Sequence, residues 1–87
     1  MFLFPAKKMQ AMLKDAEPGF VFTRVDGKKR YKAEVEKDGT KKYSIHILKA
    51  AVNNKLYWFY DTYVLDPDTN DYVKDYSGKY PYSFTNR

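Results

Sequence analysis

The stretch Leu56-Tyr57-Trp58-Phe59-Tyr60-Asp61-Thr62-Tyr63-Val64-Leu65 decides how the rest of the chain can fold. Its aromatic and β-branched residues favour a strand, in which alternate side chains point to opposite faces. Both faces are largely apolar, whereas a strand with one solvated face alternates polar and apolar residues. The stretch is therefore predicted to be the central strand of an antiparallel sheet, covered on both sides for part of its length. A buried helix is the alternative, since a short apolar run alone does not exclude one.

The composition restricts the protein to one modest domain. At 87 residues the chain has room for a single core, and residues 1–87 are predicted to form one domain. The absence of cysteine excludes disulfides and thiolate metal sites and fits a reducing compartment. We therefore expect a cytoplasmic protein, in the host cytoplasm if the source is viral. We expect neither a signal peptide nor a membrane role, because no apolar run approaches the ~20 residues that span a bilayer.

A helix followed by a meander of about five strands is predicted for the chain as a whole. The helix is predicted over residues 5–16, where apolar residues recur at helical spacing: Ala6, Met9, Met12, Leu13 and Ala16. Strands are predicted over residues 20–25, 31–36, 43–48, 56–65 and 72–76. Ser77-Gly78 is expected to end the last strand and to leave an aromatic tail over residues 77–87. The fold class is therefore α+β, with the helix packed on one sheet face.

Trp58 is expected to be substantially buried, because it lies within the central aromatic strand. Four residues of the helix and of two preceding strands are predicted to be among its neighbours or near them: Leu13, Val35, Ile45 and Ile47. This prediction places the Trp58 ring in the same core as the apolar stripe of the helix.

The sequence contains no recognisable catalytic or metal-binding set. His46, the only histidine, is expected on an outward strand face, where a packing or surface role is more common than catalysis. Neither a glycine-rich phosphate loop nor a nucleophile elbow occurs. Asp66, Asp68 and Asn70 repeat part of a calcium-loop spacing, but the sixth position is Asp71 rather than glycine. We therefore expect a protein that is not an enzyme, with no catalytic residue, no metal site and no cofactor.

The predicted meander collects positive charge at one end of the sheet. The net charge is +5, and alternate connections of a meander lie at the same end. The segments that meet there carry cations and tyrosines: Lys28, Lys29, Arg30, Lys49, Lys55, Tyr76, Lys79 and Tyr80. Lys28, Lys29 and Arg30 are expected to lie in a hairpin turn, free of packing contacts. Cations that hold phosphates beside rings that stack on bases are what sequence-tolerant binding of single strands requires.

Two binding functions are consistent with these features. The first is engagement of an anionic partner, single-stranded nucleic acid or a nucleotide-like ligand, by the basic, tyrosine-bearing end. The alternative is a protein-binding inhibitor or regulator that covers a partner surface with exposed tyrosines, as phage proteins directed against host machinery or host defences do. Against both stands the simpler interpretation of a solvated lysine cluster beside tyrosines that belong to the core.

Overall fold

The computed structural model describes residues 5–82, which form one α-helix and five strands. The elements are α1 (Pro5–Lys14), β1 (Val21–Asp26), β2 (Lys29–Val35), β3 (Lys41–Ala50), β4 (Leu56–Asp66) and β5 (Asp71–Pro81), with a short 3-10 turn at Val52–Asn54. The strands form one antiparallel sheet in the order β1-β2-β3-β4-β5. Helix α1 contacts β2 and β3, which confirms the predicted α+β fold. Within residues 5–82 no helix combines the length and the apolar character needed to cross a membrane.

Helix α1 packs on the sheet through a narrow apolar stripe. Met9 and Leu13 are buried against strands β2 and β3. Met12, which the helical spacing assigns to the same stripe, is instead 37% exposed. The helix ends at Lys14, whose carbonyl oxygen accepts a hydrogen bond from Lys41 Nζ at 2.8 Å. A cation at the C-terminal end of a helix satisfies a carbonyl group that has no partner within the helix.

Tyrosine rings fill much of the core beneath α1. Tyr43 is buried, and its ring stacks on Tyr63 with 5.0 Å between the ring centres. The ring centre of Tyr72 lies 5.1 Å from that of Tyr43. Gln10 Nε2 donates to the Tyr43 hydroxyl at 3.1 Å, so the helix supplies the partner that a buried hydroxyl needs. Burial raises the pKa of Tyr43, which keeps this hydroxyl neutral.

The sheet has two faces with different surroundings. The helix face, on which α1 packs, contains Ala33, Tyr43 and Tyr63. The opposite face contains His46 and Tyr60, which pair with each other across β3 and β4. Paired residues of antiparallel strands point to the same face, so the register assigns every strand residue to one face or the other.

Trp58 lies on the opposite face, which corrects one of the sequence predictions. It pairs with Leu48 of β3 and Tyr80 of β5, and it shares their face. The expected burial is correct, because Trp58 is 6% exposed. The neighbours predicted for it are wrong, because they belong to the helix or the helix face: Leu13, Val35, Ile45 and Ile47. Both faces of β4 are apolar, so its pattern could not indicate which face turns towards the helix.

Strand β5 continues through Ser77 and Gly78 to Pro81, beyond the predicted end at Tyr76. Gly78 pairs with Tyr60, whose ring lies over the glycine. A Cβ atom at residue 78 would lie 2.5 Å from the Tyr60 hydroxyl oxygen. An aromatic ring that covers a glycine on a neighbouring strand stabilises the glycine in the sheet. Residues 77–81 therefore belong to β5, and residues 83–87 of the predicted tail lie outside the described residues.

Single replacements of Met9 and Met12 by alanine test which side of α1 faces the sheet. Met9 is 2% exposed and Met12 is 37% exposed, while both residues stand in the same helix. Met9→Ala should lower the free energy of unfolding by about 2–5 kcal/mol, because it leaves a cavity in the core. Met12→Ala should lower it by less than about 1 kcal/mol. Urea unfolding followed by Trp58 fluorescence measures both effects, and equal losses would contradict the orientation of α1.

Candidate nucleic-acid interface

The lysines predicted to form a basic end do lie at one end of the sheet. This end contains the β1–β2 turn, the β3–β4 connection and the last residues of β5. Five exposed lysines are found there: Lys28, Lys29, Lys49, Lys55 and Lys79. Leu48 N donates to Lys28 O at 2.8 Å, which ties the β1–β2 turn to β3. The positions of these cations are therefore fixed by backbone pairing, although the side chains themselves are solvated.

The residues predicted for the single site lie on both faces of the sheet. Lys29 pairs with Ile47 and Lys79 with Phe59, which places both lysines on the helix face. The other three residues of the predicted site lie on the opposite face: Arg30, Tyr76 and Tyr80. Tyr76, moreover, pairs with Thr62 in the middle of the sheet rather than at its basic end. The single site predicted from the sequence is therefore two clusters on two faces.

The first cluster lies on the part of the helix face beyond α1, and we call it the lysine–aromatic patch. It consists of Lys29, Ile47, Lys49, Tyr57, Phe59 and Lys79. Lys49 Nζ lies 4.9 Å from the centre of the Phe59 ring, and the Tyr57 ring centre lies 6.4 Å from that ring centre. Ile47 is 42% exposed. Four of these residues, Lys29, Ile47, Lys49 and Phe59, line a groove of about 490 Å³, so a ring and two cations share one concave surface.

Positive charge predominates along this groove. Asp61 is the one acidic residue among the described residues that line it. Its carboxylate lies 3.9 Å from Lys74 Nζ and accepts a hydrogen bond from Ser77 Oγ. The other ion pairs of the described chain use Arg24, Lys32 and Lys42, none of which belongs to the patch. Within the described chain, no patch lysine therefore forms an ion pair with an acidic residue, and Lys49 lies over the Phe59 ring instead.

The second cluster, on the opposite face, uses Arg30 as a packing residue. The Arg30 guanidinium carbon lies 4.7 Å from the centre of the Trp58 ring, at a cation–π distance. Arg30 Nη1 also donates to the Tyr80 hydroxyl at 3.2 Å. Arg30 belongs to β2 rather than to the turn. The prediction that Arg30 is free of packing contacts is therefore wrong, because its guanidinium packs on the Trp58 ring of β4. No local sequence pattern reveals this contact between distant strands.

His46 connects the polar groups of this second cluster. Its Nδ1 lies 3.0 Å from the Tyr80 hydroxyl, and its Nε2 lies 3.0 Å from Ser44 Oγ. Arg30 can only donate, so the Tyr80 oxygen accepts that bond. The Tyr80 and Ser44 hydroxyls place a hydrogen-bond partner at each ring nitrogen of His46. Burial, followed by the positive charges of Arg30 and Lys32, lowers the pKa of His46.

The acidic loop between β4 and β5 is a hydrogen-bonded turn. Asp68 N donates to Asp66 Oδ1 at 3.0 Å, and Asn70 N donates to the Asp66 carbonyl oxygen at 2.7 Å. Asn70 has a φ of +63°, a backbone conformation that asparagine tolerates in turns. Within residues 5–82, no group of three or more metal-ligating side chains is placed to hold an ion. The Asp66 carboxylate accepts a hydrogen bond from the backbone of its own loop.

The polar cluster predicts a histidine that stays neutral to lower pH than an ordinary one. NMR titration of this single histidine should give a pKa below about 6.5. Lys32→Gln should raise the pKa by removing a positive charge, whereas Lys37→Gln, in the β2–β3 turn, should leave it unchanged.

The same shift sets the sign of the pH dependence of stability. Because the folded-state pKa of His46 lies below the unfolded-state value, its stabilising contribution is fully present above about pH 6.5. This contribution is lost as the pH falls through the folded-state pKa. A measured His46 pKa above 6.5 would contradict the burial of the ring beside Arg30.

Three comparisons of the chain with known proteins return no similar protein. No family model, curated protein or solved structure matches it. The two clusters are therefore interpreted from their own contacts and charges.

Proposed function

We propose that the protein is a non-enzymatic binding protein that engages single-stranded nucleic acid through the lysine–aromatic patch. One observation carries this proposal: Lys29, Ile47, Phe59 and Lys79 form a continuous row across β2, β3, β4 and β5. Neighbouring strands are about 5 Å apart. A ligand that crosses the strands therefore meets a lysine, an isoleucine, a phenylalanine ring and a second lysine in turn. Binding without sequence preference combines cations along the backbone with rings on which bases stack.

The dimensions of the groove also suit a smaller ligand of the same chemistry. Ligand pockets are commonly about 300–1,000 Å³, and the groove along the patch measures about 490 Å³. A nucleotide would displace Lys49 Nζ from the face of the Phe59 ring, stack its base there and place its phosphates near that lysine. A nucleotide-like ligand is therefore included in the proposal, as a single unit of the polymer that the row would bind.

A protein-binding function is the second candidate, and the tyrosines of the opposite face favour it. Tyr76 is 53% exposed. The ring centre of Tyr60 lies 5.9 Å from that of Tyr76 and 5.8 Å from that of Tyr80. Exposed tyrosine clusters are frequent anchors of protein interfaces. This candidate is an inhibitor or regulator that acts by covering a partner surface.

Removal of the patch lysines tests the proposed function. In the variant K29Q/K49Q/K79Q, affinity for fluorescent oligothymidine should fall. The slope of log K against log salt should shrink by up to about 0.7 for each phosphate group that the variant no longer binds. The control K7Q/K8Q/K37Q removes the same charge from exposed lysines of α1 and the β2–β3 turn, and it should retain most of the affinity. Equal losses in the two variants would show that net charge alone holds the polymer, and no binding by the wild type at low salt would refute the proposal.

Phe59→Leu tests the stacking contact separately from the charge. Leucine keeps the apolar bulk of the patch, but it has no aromatic face for a base. Affinity should fall by about 1–3 kcal/mol, with little change in the salt slope. Tyr76→Ala serves as the control, because its ring lies on the opposite face and should matter little to nucleic acid. The reverse result, a large loss from Tyr76→Ala and none from Phe59→Leu, would move the binding site to the opposite face.

A further inference from the structure

The outer edge of β1 is unpaired within the described chain, and we propose that a second copy of the protein pairs with it. In residues 5–82, β2 is the only strand that pairs with β1. Val35 N donates to Phe20 O at 2.9 Å, so the backbone of Phe20 faces β2. Alternate residues of an antiparallel strand face the same neighbour. The residues that direct their N–H and C=O groups outward are therefore Val21, Thr23 and Val25.

The two edges of the sheet differ in how they are protected. Strand β5, the other edge, has a bulge opposite Thr62 and Tyr63 and ends at Pro81. It also carries four charged residues: Asp71, Lys74, Asp75 and Lys79. Charges, bulges and proline are the features by which edge strands avoid pairing with other chains. Strand β1 pairs with β2 without a bulge, contains no proline, and has two charges, Arg24 and Asp26, which lie 3.6 Å apart as an ion pair.

The sequence of β1 is complementary to itself about Thr23. An antiparallel copy with Thr23 opposite Thr23 brings Val21 of one chain opposite Val25 of the other. Outward-facing residues then meet outward-facing residues, so their backbone donors and acceptors match. Cross-strand pairs of β-branched residues stabilise a sheet. Val21 and Val25 are 59% and 58% exposed in the single chain, and pairing would remove part of this apolar surface from water.

The geometry of this pairing also fixes the symmetry of the dimer. The copies are related by a two-fold axis perpendicular to the sheet at Thr23, so two five-stranded sheets become one continuous sheet. This axis keeps the helix faces of both copies on the same side of the joined sheet. Both lysine–aromatic patches would then lie on one side of the joined sheet, one at each end. This last consequence rests on the proposed function, whereas the dimer itself does not.

Charge substitutions at Thr23 test the pairing directly. Sedimentation velocity of the wild type over a concentration series should show a mass rising towards twice the 10.3 kDa of the chain. T23K and T23E should each remain monomeric, because identical charges oppose each other at the axis. An equimolar mixture of the two variants should restore the dimer, because lysine then faces glutamate. Thr23 is exposed, so Trp58 fluorescence should report an unchanged fold in both variants.

Val73 on the other edge strand provides the matched control. Val73 is 48% exposed, and V73K and V73E should dimerise as the wild type does. Loss of the dimer in the Val73 variants but not in the Thr23 variants would place the interface at β5 and overturn the proposal. A wild type that stays monomeric up to about 1 mM would overturn it as well. The variant K29Q/K49Q/K79Q should lose nucleic acid but keep the dimer, which distinguishes failure of one proposal from failure of the other.

Discussion

The pairing register of β3 with β4 is the constraint on which both faces of the sheet depend. It sets Tyr43 opposite Tyr63, and these stacked rings form the platform for α1. The same register sets Ile47 opposite Phe59, between the lysines of the patch. A slip of one residue would exchange the two faces of β4 and place Trp58 on the helix face, in the part that α1 does not cover. One set of backbone hydrogen bonds thus decides both the packing beneath α1 and the composition of the lysine–aromatic patch beyond it.

A short helix on a sheet of long strands explains why the patch exists. Ten residues of α1 span about 15 Å at 1.5 Å per residue. The eleven residues of β4 span roughly 36 Å at about 3.3 Å per residue. The helix therefore covers Tyr43 and Tyr63 but not Ile47 and Phe59, which lie further along the same face. In a typical two-layer domain this second half would need another element or a polar surface, and here cations surround the apolar groups.

Local patterns predict the elements of this fold, whereas contacts between distant strands decide the site. Alternation through Ala33 and Val35 and the turn at Asp26-Gly27 are local, so the helix, the five strands and the basic end follow from the sequence. Continuation of β5 depends on the Tyr60 ring, which reaches Gly78 from β4. The face to which each basic residue points depends on register, and a strand that is apolar on both faces leaves the register open.

The distribution of cations bears on what kind of nucleic-acid contact the patch can make. The guanidinium of Arg30, the residue after Lys29, is held on the other face by Trp58 and Tyr80. A guanidinium can read a guanine edge with two parallel hydrogen bonds, whereas an ammonium acts as a point charge without fixed geometry. The patch therefore has lysine charges and aromatic faces, and Arg30 is not directed towards it. This chemistry favours contacts with the phosphate backbone and with stacked bases over the reading of base edges, so the proposed binding should depend on salt more than on sequence.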